Sequence, residues 1–515
     1  MWKGELPLST RLVSAKREDI RLILIALGAA GAAISGAIAV LYHQWTMALV
    51  LALLLGLWVG LASVSATIDR RLAILFSLLA VADYLKRVTF LAPDQSPWSQ
   101  HLISILPTLY YGGAILVPAL PRIIATPLSR VERLALIYLA LALAMTWLSP
   151  GPTLLGRLAA SGLLVLPWTM ILVAARWGWE ALPGVSRTMV FWGILSALYG
   201  LWLFSFGPTP VELRWAESAT FSIGARHLIE AMGGEGVSGV WRVTGLQPDA
   251  FTFGLFLLTA LIGLEALAAR GEMSRLAHAG FFGLLLLGIG LSLVRTIWVA
   301  LVVFIVMRWI AEHSTLLRHP RLILLGLVGM FLLAPATAAV LYQRFGSLAG
   351  VMPNPLLARM LTFGTLEARK DALAMFLDVL PERLVTGLGY GISPWVTGKF
   401  GSMVELPPNF AEHNALVEQL WYVGLPGLLL FVVLLYEAFA RLARRYARGN
   451  QLERQVLAIL AAGLLALFAT GLGNGGVFLS YPFFFLLGVI VAKEQHDLEA
   501  VSDGSAPTAR ARRRP

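Results

Sequence analysis

The chain has 515 residues, 58% of them hydrophobic and only 13% charged, with a mean hydropathy of +0.76. Soluble domains carry about 25% charged residues, and half that amount cannot cover a water-facing surface, so the composition excludes a disordered chain, a secreted disulfide scaffold and a soluble enzyme. The absence of cysteine removes disulfides, thiolate metal sites and cysteine nucleophiles together. The net charge of +11 reads as membrane topology rather than nucleic-acid binding, because of where the charges fall.

The first 21 residues are polar and basic, with Lys3, Arg11, Lys16, Arg17 and Arg21. The apolar run after them is long enough to span, so it is expected as a retained first transmembrane helix and not a cleaved signal peptide. A span takes about 20 mostly apolar residues. Fourteen stretches qualify: 22–42, 46–66, 72–93, 101–121, 133–149, 154–175, 188–206, 249–269, 279–294, 296–311, 321–342, 423–442, 455–472 and 476–493. The fold class is therefore all-α, a polytopic integral membrane helix bundle of about 14 transmembrane helices over 22–493. The stretch 72–93 is unusual in carrying Asp83, Lys86 and Arg87.

The pair 279–294 and 296–311 is one apolar stretch broken by Arg295. An arginine at a helix centre costs about 2.5–3.5 kcal/mol on insertion scales, whereas a turn there brings its charge to the interface. A single tilted helix would invert everything downstream. With two helices, 27 of the 40 lysines and arginines fall on the side of both termini and 13 on the other. The positive-inside rule then places both termini in the cytoplasm. With one helix fewer, the Arg441–Arg454 cluster and the arginines of the tail would lie outside. The expected location is a bacterial inner (cytoplasmic) membrane.

Two long segments fall on the outer face, 207–248 and 343–422. Residues 366–380 space Ala372, Leu373, Phe376, Leu377 and Leu380 as an amphipathic helix, with Thr365 as N-cap and Pro381 beyond its end. The outer loop is thus long and partly helical. The tail 494–515 is polar, basic and expected to be disordered.

Three features of the outer side could carry chemistry. They are Arg295 at the helix turn, Arg369 with Lys370 at the start of the amphipathic helix, and His413 within Glu412-His413-Asn414. Each also has a plain reading, as an interfacial topology marker, a solvated face and a helix cap respectively. The run Gly387-Leu388-Gly389-Tyr390-Gly391 resembles a phosphate loop but lies away from the cytoplasmic nucleotide pool, and it reads as a backbone turn. In the functional reading, arginine's planar fork grips phosphate oxygens in bidentate fashion. Two arginines at the outer interface could hold a diphosphate whose lipid tail lies in the bilayer. A neutral imidazole accepts a proton from an attacking hydroxyl near pH 7.

Three stretches resemble the O-antigen ligase/polymerase superfamily of bacterial envelope glycosyltransferases. The first is Ser292-Leu293-Val294-Arg295-Thr296-Ile297-Trp298, similar to that family's turn between two helices. The second is Arg369, an amphipathic helix and the glycine run from Gly387 to Gly391. The third is His413-Asn414-Ala415-Leu416-Val417-Glu418, followed by Gly424-Leu425-Pro426-Gly427-Leu428. The resemblance covers roughly 240–445. Val294 and Thr296 depart from it, standing where Ser and Gly are frequent. A weaker match from Arg242 ends in Pro248-Asp249 where Pro-Asn is common.

The resemblance implies a glycosyltransferase of the GT-C type that uses no metal and no cofactor. It would move a glycan from undecaprenyl diphosphate to an acceptor hydroxyl at the periplasmic face. The acceptor is another glycan unit, lipid A-core or a protein, as in lipopolysaccharide and other cell-envelope polysaccharide biosynthesis. It assigns Arg295 and Arg369 to the diphosphate and His413 to the general base, with Arg242, Lys370, Glu412 and Asn414 as supporting positions. The first outer loop, His43-Gln44-Trp45, has no carboxylate to hold a divalent cation, which agrees with arginine neutralising the leaving group. Two alternatives remain: a lipid-linked oligosaccharide flippase, and a peptidoglycan-type lipid-diphosphate polymerase. The first would show internal symmetry, the second a catalytic Asp in its large outer loop.

Overall fold

The computed structural model describes residues 67–89, 97–149, 152–210, 212–213, 243–329, 381, 383–393, 415–471 and 480–492. The spans expected at 22–42 and 46–66, the helix expected over 366–380 and the tail 494–515 lie outside the described residues.

No strand occurs among the described residues. The helices are α1 (Ile68–Thr89), α2 (Pro97–Tyr110), α3 (Val117–Ala125), α4 (Arg130–Leu148), α5 (Leu154–Ala160), α6 (Met170–Phe206), α7 (Ala250–Ala269), α8 (Arg275–Leu291), α9 (Arg295–His313), α10 (Pro320–Gly329), α11 (Ala415–Arg448), α12 (Gln451–Thr470) and α13 (Tyr481–Ile490). A π-helical turn, Tyr111–Leu116, joins α2 to α3. Among the described residues, seven helical runs are long and apolar enough to cross a membrane: Ile105–Ala125, Arg130–Leu148, Leu154–Phe206, Ala250–Ala269, Arg295–His313, Ala415–Arg448 and Gln451–Thr470. Helix α1, with its charged residues, is not one of them, and α8, α10 and α13 are shorter apolar helices.

Local chemistry starts these helices where polar side chains can accept the first free N–H groups. Ser129 and Glu132 form a reciprocal capping box at α4, with bonds of 3.3 and 2.7 Å. Thr153, Asp249, Ser274 and Asn450 cap α5, α7, α8 and α12. Small residues bring the helices close in the interior, as expected where lipid offers no hydrophobic drive. A Cβ on Gly193 of α6 would meet Ala260 of α7 at 2.6 Å, and one on Gly463 of α12 would meet Ile262 of α7 at 2.8 Å.

The broken-pair reading around Arg295 holds. Helix α8 ends at Leu291, Ser292-Leu293-Val294 turn, and α9 begins at Arg295. The two helices run antiparallel. His278 near the start of α8 lies 2.9 Å from Glu265 of α7, and Arg308 near the end of α9 pairs with the same carboxylate. One glutamate therefore holds both open ends of the hairpin, and the Arg295 turn is at the far end.

Tracing partners through the bundle separates two ends. At the first, Arg176 pairs with Glu132 at 2.8 Å, Arg187 with Glu272 at 2.7 Å and Arg445 with Glu453 at 2.9 Å, and Tyr446 donates to the carbonyl of Ala311 at 2.9 Å. Arg270 and Arg445 lie over the ring of Trp179 at 5.6 and 5.0 Å. This is the arginine-rich end. The other end carries the Arg295 turn, residues 243–249 and the glycine run.

The spans expected at 154–175 and 188–206 differ from expectation. They form one helical run, Leu154–Phe206, in which Arg176 and Arg187 sit on helix rather than loop. Pro183 removes one ladder hydrogen bond, and the helix continues past it with Gly178, Ala181, Leu182, Val185 and Ser186 buried around it. Arg176 and Arg187 still meet partners at the same end of the bundle.

Candidate functional site

Of the residues singled out in the sequence, Arg295 is described; Arg242, Arg369, Lys370, Glu412, His413 and Asn414 lie outside the described residues. Arg295 is half-buried and is the first residue of the 19-residue helix α9. A cation at a helix N-terminus faces the positive end of the helix dipole, a repulsion of about 0.3–1 kcal/mol at an exposed site. Guanidinium and dipole add rather than cancel, so together they attract an anion. Val294 at the N-cap has no side chain that could accept from the first turn.

The turn is held firmly. Ser292 is fully buried and donates to the Ile289 carbonyl at 2.7 Å. The Trp298 indole donates to the same carbonyl at 3.1 Å. Leu293 has φ +52, a left-handed conformation that costs a side-chain-bearing residue about 1–2 kcal/mol. It is the one non-glycine residue with positive φ among the described residues. Gly254 of α7 packs under the turn, where a Cβ would come within 3.0–3.1 Å of Ile297 and Ser292.

Beside the turn lies the segment 243–249. The Val243 N–H reaches the Leu291 carbonyl at 3.5 Å. Ser196 of α6 accepts from the Leu246 N–H at 3.1 Å and donates to Gln247 Oε1 at 2.6 Å. Asp249 caps α7, accepting from the Thr252 N–H and hydroxyl, each at 2.8 Å.

Sequence reasoning missed the residue at the centre of this region. Arg87 of α1 is fully buried; it donates to the Gly245 carbonyl at 2.9 Å and pairs with Glu212 at 3.7 Å. Glu212 accepts in turn from the Tyr199 hydroxyl and from Thr209. The available signal was the charged trio Asp83, Lys86 and Arg87 inside an apolar run. The partners, more than a hundred positions away, had no signal of their own.

The glycine run is a backbone turn, docked where α11 kinks at Gly424 (φ +71, ψ −177). The Leu388 and Gly389 N–H groups donate to the carbonyls of Trp421 and Tyr422 at 2.7 and 2.9 Å, and the Leu425 N–H donates to the Leu384 carbonyl at 2.7 Å. Gly387 and Gly389 have φ +63 and +73, and a Cβ on Gly387 would meet the Gly424 nitrogen at 2.6 Å. Tyr390 anchors the turn inward. Its hydroxyl lies 3.0 Å from that of Tyr138 and donates to Gln419 at 3.2 Å, and its N–H donates to Thr146 at 3.2 Å. These glycines permit backbone contact and leave no cradle for a phosphate. The turn ties the chain leaving 381–384 to the start of α11, which resumes at a fully buried Ala415 whose N–H donates to the Gly471 carbonyl at 2.8 Å. Comparison with protein-family models, with curated proteins and with solved structures gives no match.

Proposed function

We propose that the chain is a bacterial inner-membrane glycosyltransferase of the O-antigen ligase/polymerase type, with both termini cytoplasmic. It takes a glycan from undecaprenyl diphosphate and passes it to an acceptor hydroxyl at the periplasmic face. The acceptor oxygen forms a bond to the anomeric carbon as the bond from that carbon to the diphosphate oxygen breaks. The proton goes to His413, and the leaving diphosphate is held by Arg295 and Arg369. A diphosphate leaves readily, so orienting the acceptor is the main task.

The observation that carries this reading is the position of Arg295. It is half-buried, it opens a helix whose dipole adds to its charge, and it stands at the end of the bundle away from the arginine-rich one. The positive-inside rule favours a cytoplasmic arginine-rich end, and this supports the reading of Arg295 as a periplasmic ligand.

The test is transfer in vitro from a purified undecaprenyl-diphosphate glycan, with and without chelator, offering lipid A-core or a second donor molecule as acceptor. Arg295→Ala and His413→Ala are each expected to abolish transfer at unchanged membrane expression, read as loss of the glycan ladder on a gel. Full activity in either variant refutes the assigned roles. Translocation of the donor across vesicles without any transfer supports the flippase alternative.

A further inference from the structure

The two described feet of the outer segment 207–248 meet on one side chain. Glu212 belongs to the foot leaving α6, and Gly245 to the foot entering α7. Arg87 of α1 touches both, pairing with the carboxylate at 3.7 Å and donating to the carbonyl at 2.9 Å. Arg87 and Glu212 are 0% and 1% exposed. Each foot is fixed independently on its other side. Glu212 accepts from the Thr209 N–H at 2.8 Å and from the Tyr199 hydroxyl, while residues 246–247 bond to Ser196. Gly245 has φ +52, and a Cβ there would collide with Ser196 Oγ at 2.6 Å. No other residue type fits the backbone approach that brings this carbonyl to the guanidinium.

Burying an arginine and a glutamate together is seldom a gain in stability, since apolar residues of like volume often hold a fold as well. One guanidinium nitrogen, Arg87 Nη1, hydrogen-bonds the Gly245 carbonyl and ion-pairs with the Glu212 carboxylate, so a single side chain ties two separate stretches of backbone to a third, which an apolar pair cannot do. The second foot continues directly to the site, because Val243 reaches Leu291, the last residue before the turn that presents Arg295.

We propose that Arg87 is a positioning residue that clasps both feet of the 207–248 segment and thereby sets the register of the Arg295 turn for donor binding. The consequence for the donor rests on the glycosyltransferase reading; the clasp itself does not. Loss of the clasp shifts the Arg295 guanidinium without removing it, so donor binding weakens and the donor KM rises, with a smaller fall in kcat.

The chain lacks cysteine, so a single introduced thiol reports local opening cleanly. Thr244→Cys places it at a site 3% exposed beside Gly245, and Ala311→Cys places a control at the arginine-rich end, 1% exposed. Maleimide labelling of the full-length protein in nanodiscs is compared with and without Arg87→Met/Glu212→Gln, a pairing that strands no buried charge. Labelling at 244 is expected to accelerate about tenfold or more while labelling at 311 is unchanged, with Arg87→Lys intermediate. On the untagged background, the double variant is expected to raise the donor KM about tenfold with kcat within about threefold. Unchanged labelling at 244, or equal acceleration at both cysteines, overturns the clasp. Accelerated labelling with an unchanged donor KM overturns the positioning role. Accelerated labelling together with no transfer by the wild-type protein on any acceptor leaves the clasp standing and removes the glycosyltransferase reading.

Discussion

Asp249 is the N-cap of α7 and accepts two bonds from Thr252, one from its N–H and one from its hydroxyl. Asp249→Asn keeps the cap and removes the charge. Its thermal midpoint in detergent should stay close to that of wild type. Asp249→Ala removes the cap and should cost about 1 kcal/mol. At this scale the sequence was partly legible. Arg295 stood out because one charge interrupts a long apolar run. Arg87 was visible as an oddity in its own run, but its meaning needed Glu212 and Gly245, which only the folded chain brings to it.

At the scale of elements, the turn between α8 and α9 was readable because a buried arginine in mid-membrane is too expensive to keep. The glycine run was readable as a backbone turn, although its partner was not: Gly424 looked like the start of a span, whereas it is a kink inside Ala415–Arg448. Its φ of +71 with ψ of −177 lies in a region essentially reserved for glycine. Gly424→Ala should therefore destabilise by about 1–3 kcal/mol from conformation alone. The collision of the new Cβ with the Val385 carbonyl adds to this, and the whole effect is measurable as a lowered melting midpoint in detergent. Helical continuity across Arg176–Arg187 was not readable. Two arginines and Pro183-Gly184 mark a break in sequence terms, whereas in the fold the helix runs through them with Gly178, Leu182 and Val185 buried.

At the scale of the whole molecule, sorting the arginines of the described residues by the partners they meet yields the same division as sorting them by loop. Orientation is then a testable consequence. A fluorescent protein fused after Arg448 should fluoresce, and alkaline phosphatase fused after Thr209 should be active. The reverse pattern would turn the bundle over and carry Arg295 to the cytoplasmic face, away from any periplasmic chemistry.

Helix α9 rises about 1.5 Å per residue, so its 19 residues span about 28 Å, close to the roughly 30 Å hydrocarbon thickness of a bilayer. Val299, Val302, Ile305, Val306 and Trp309 lie exposed along it. Arg295 and His313 thus stand at opposite ends of a rod cut to the length of the lipid tails. Longer acyl chains would draw the guanidinium below the headgroups, and shorter ones would lift it clear, so the depth of Arg295 in the bilayer is set by the membrane as much as by the protein.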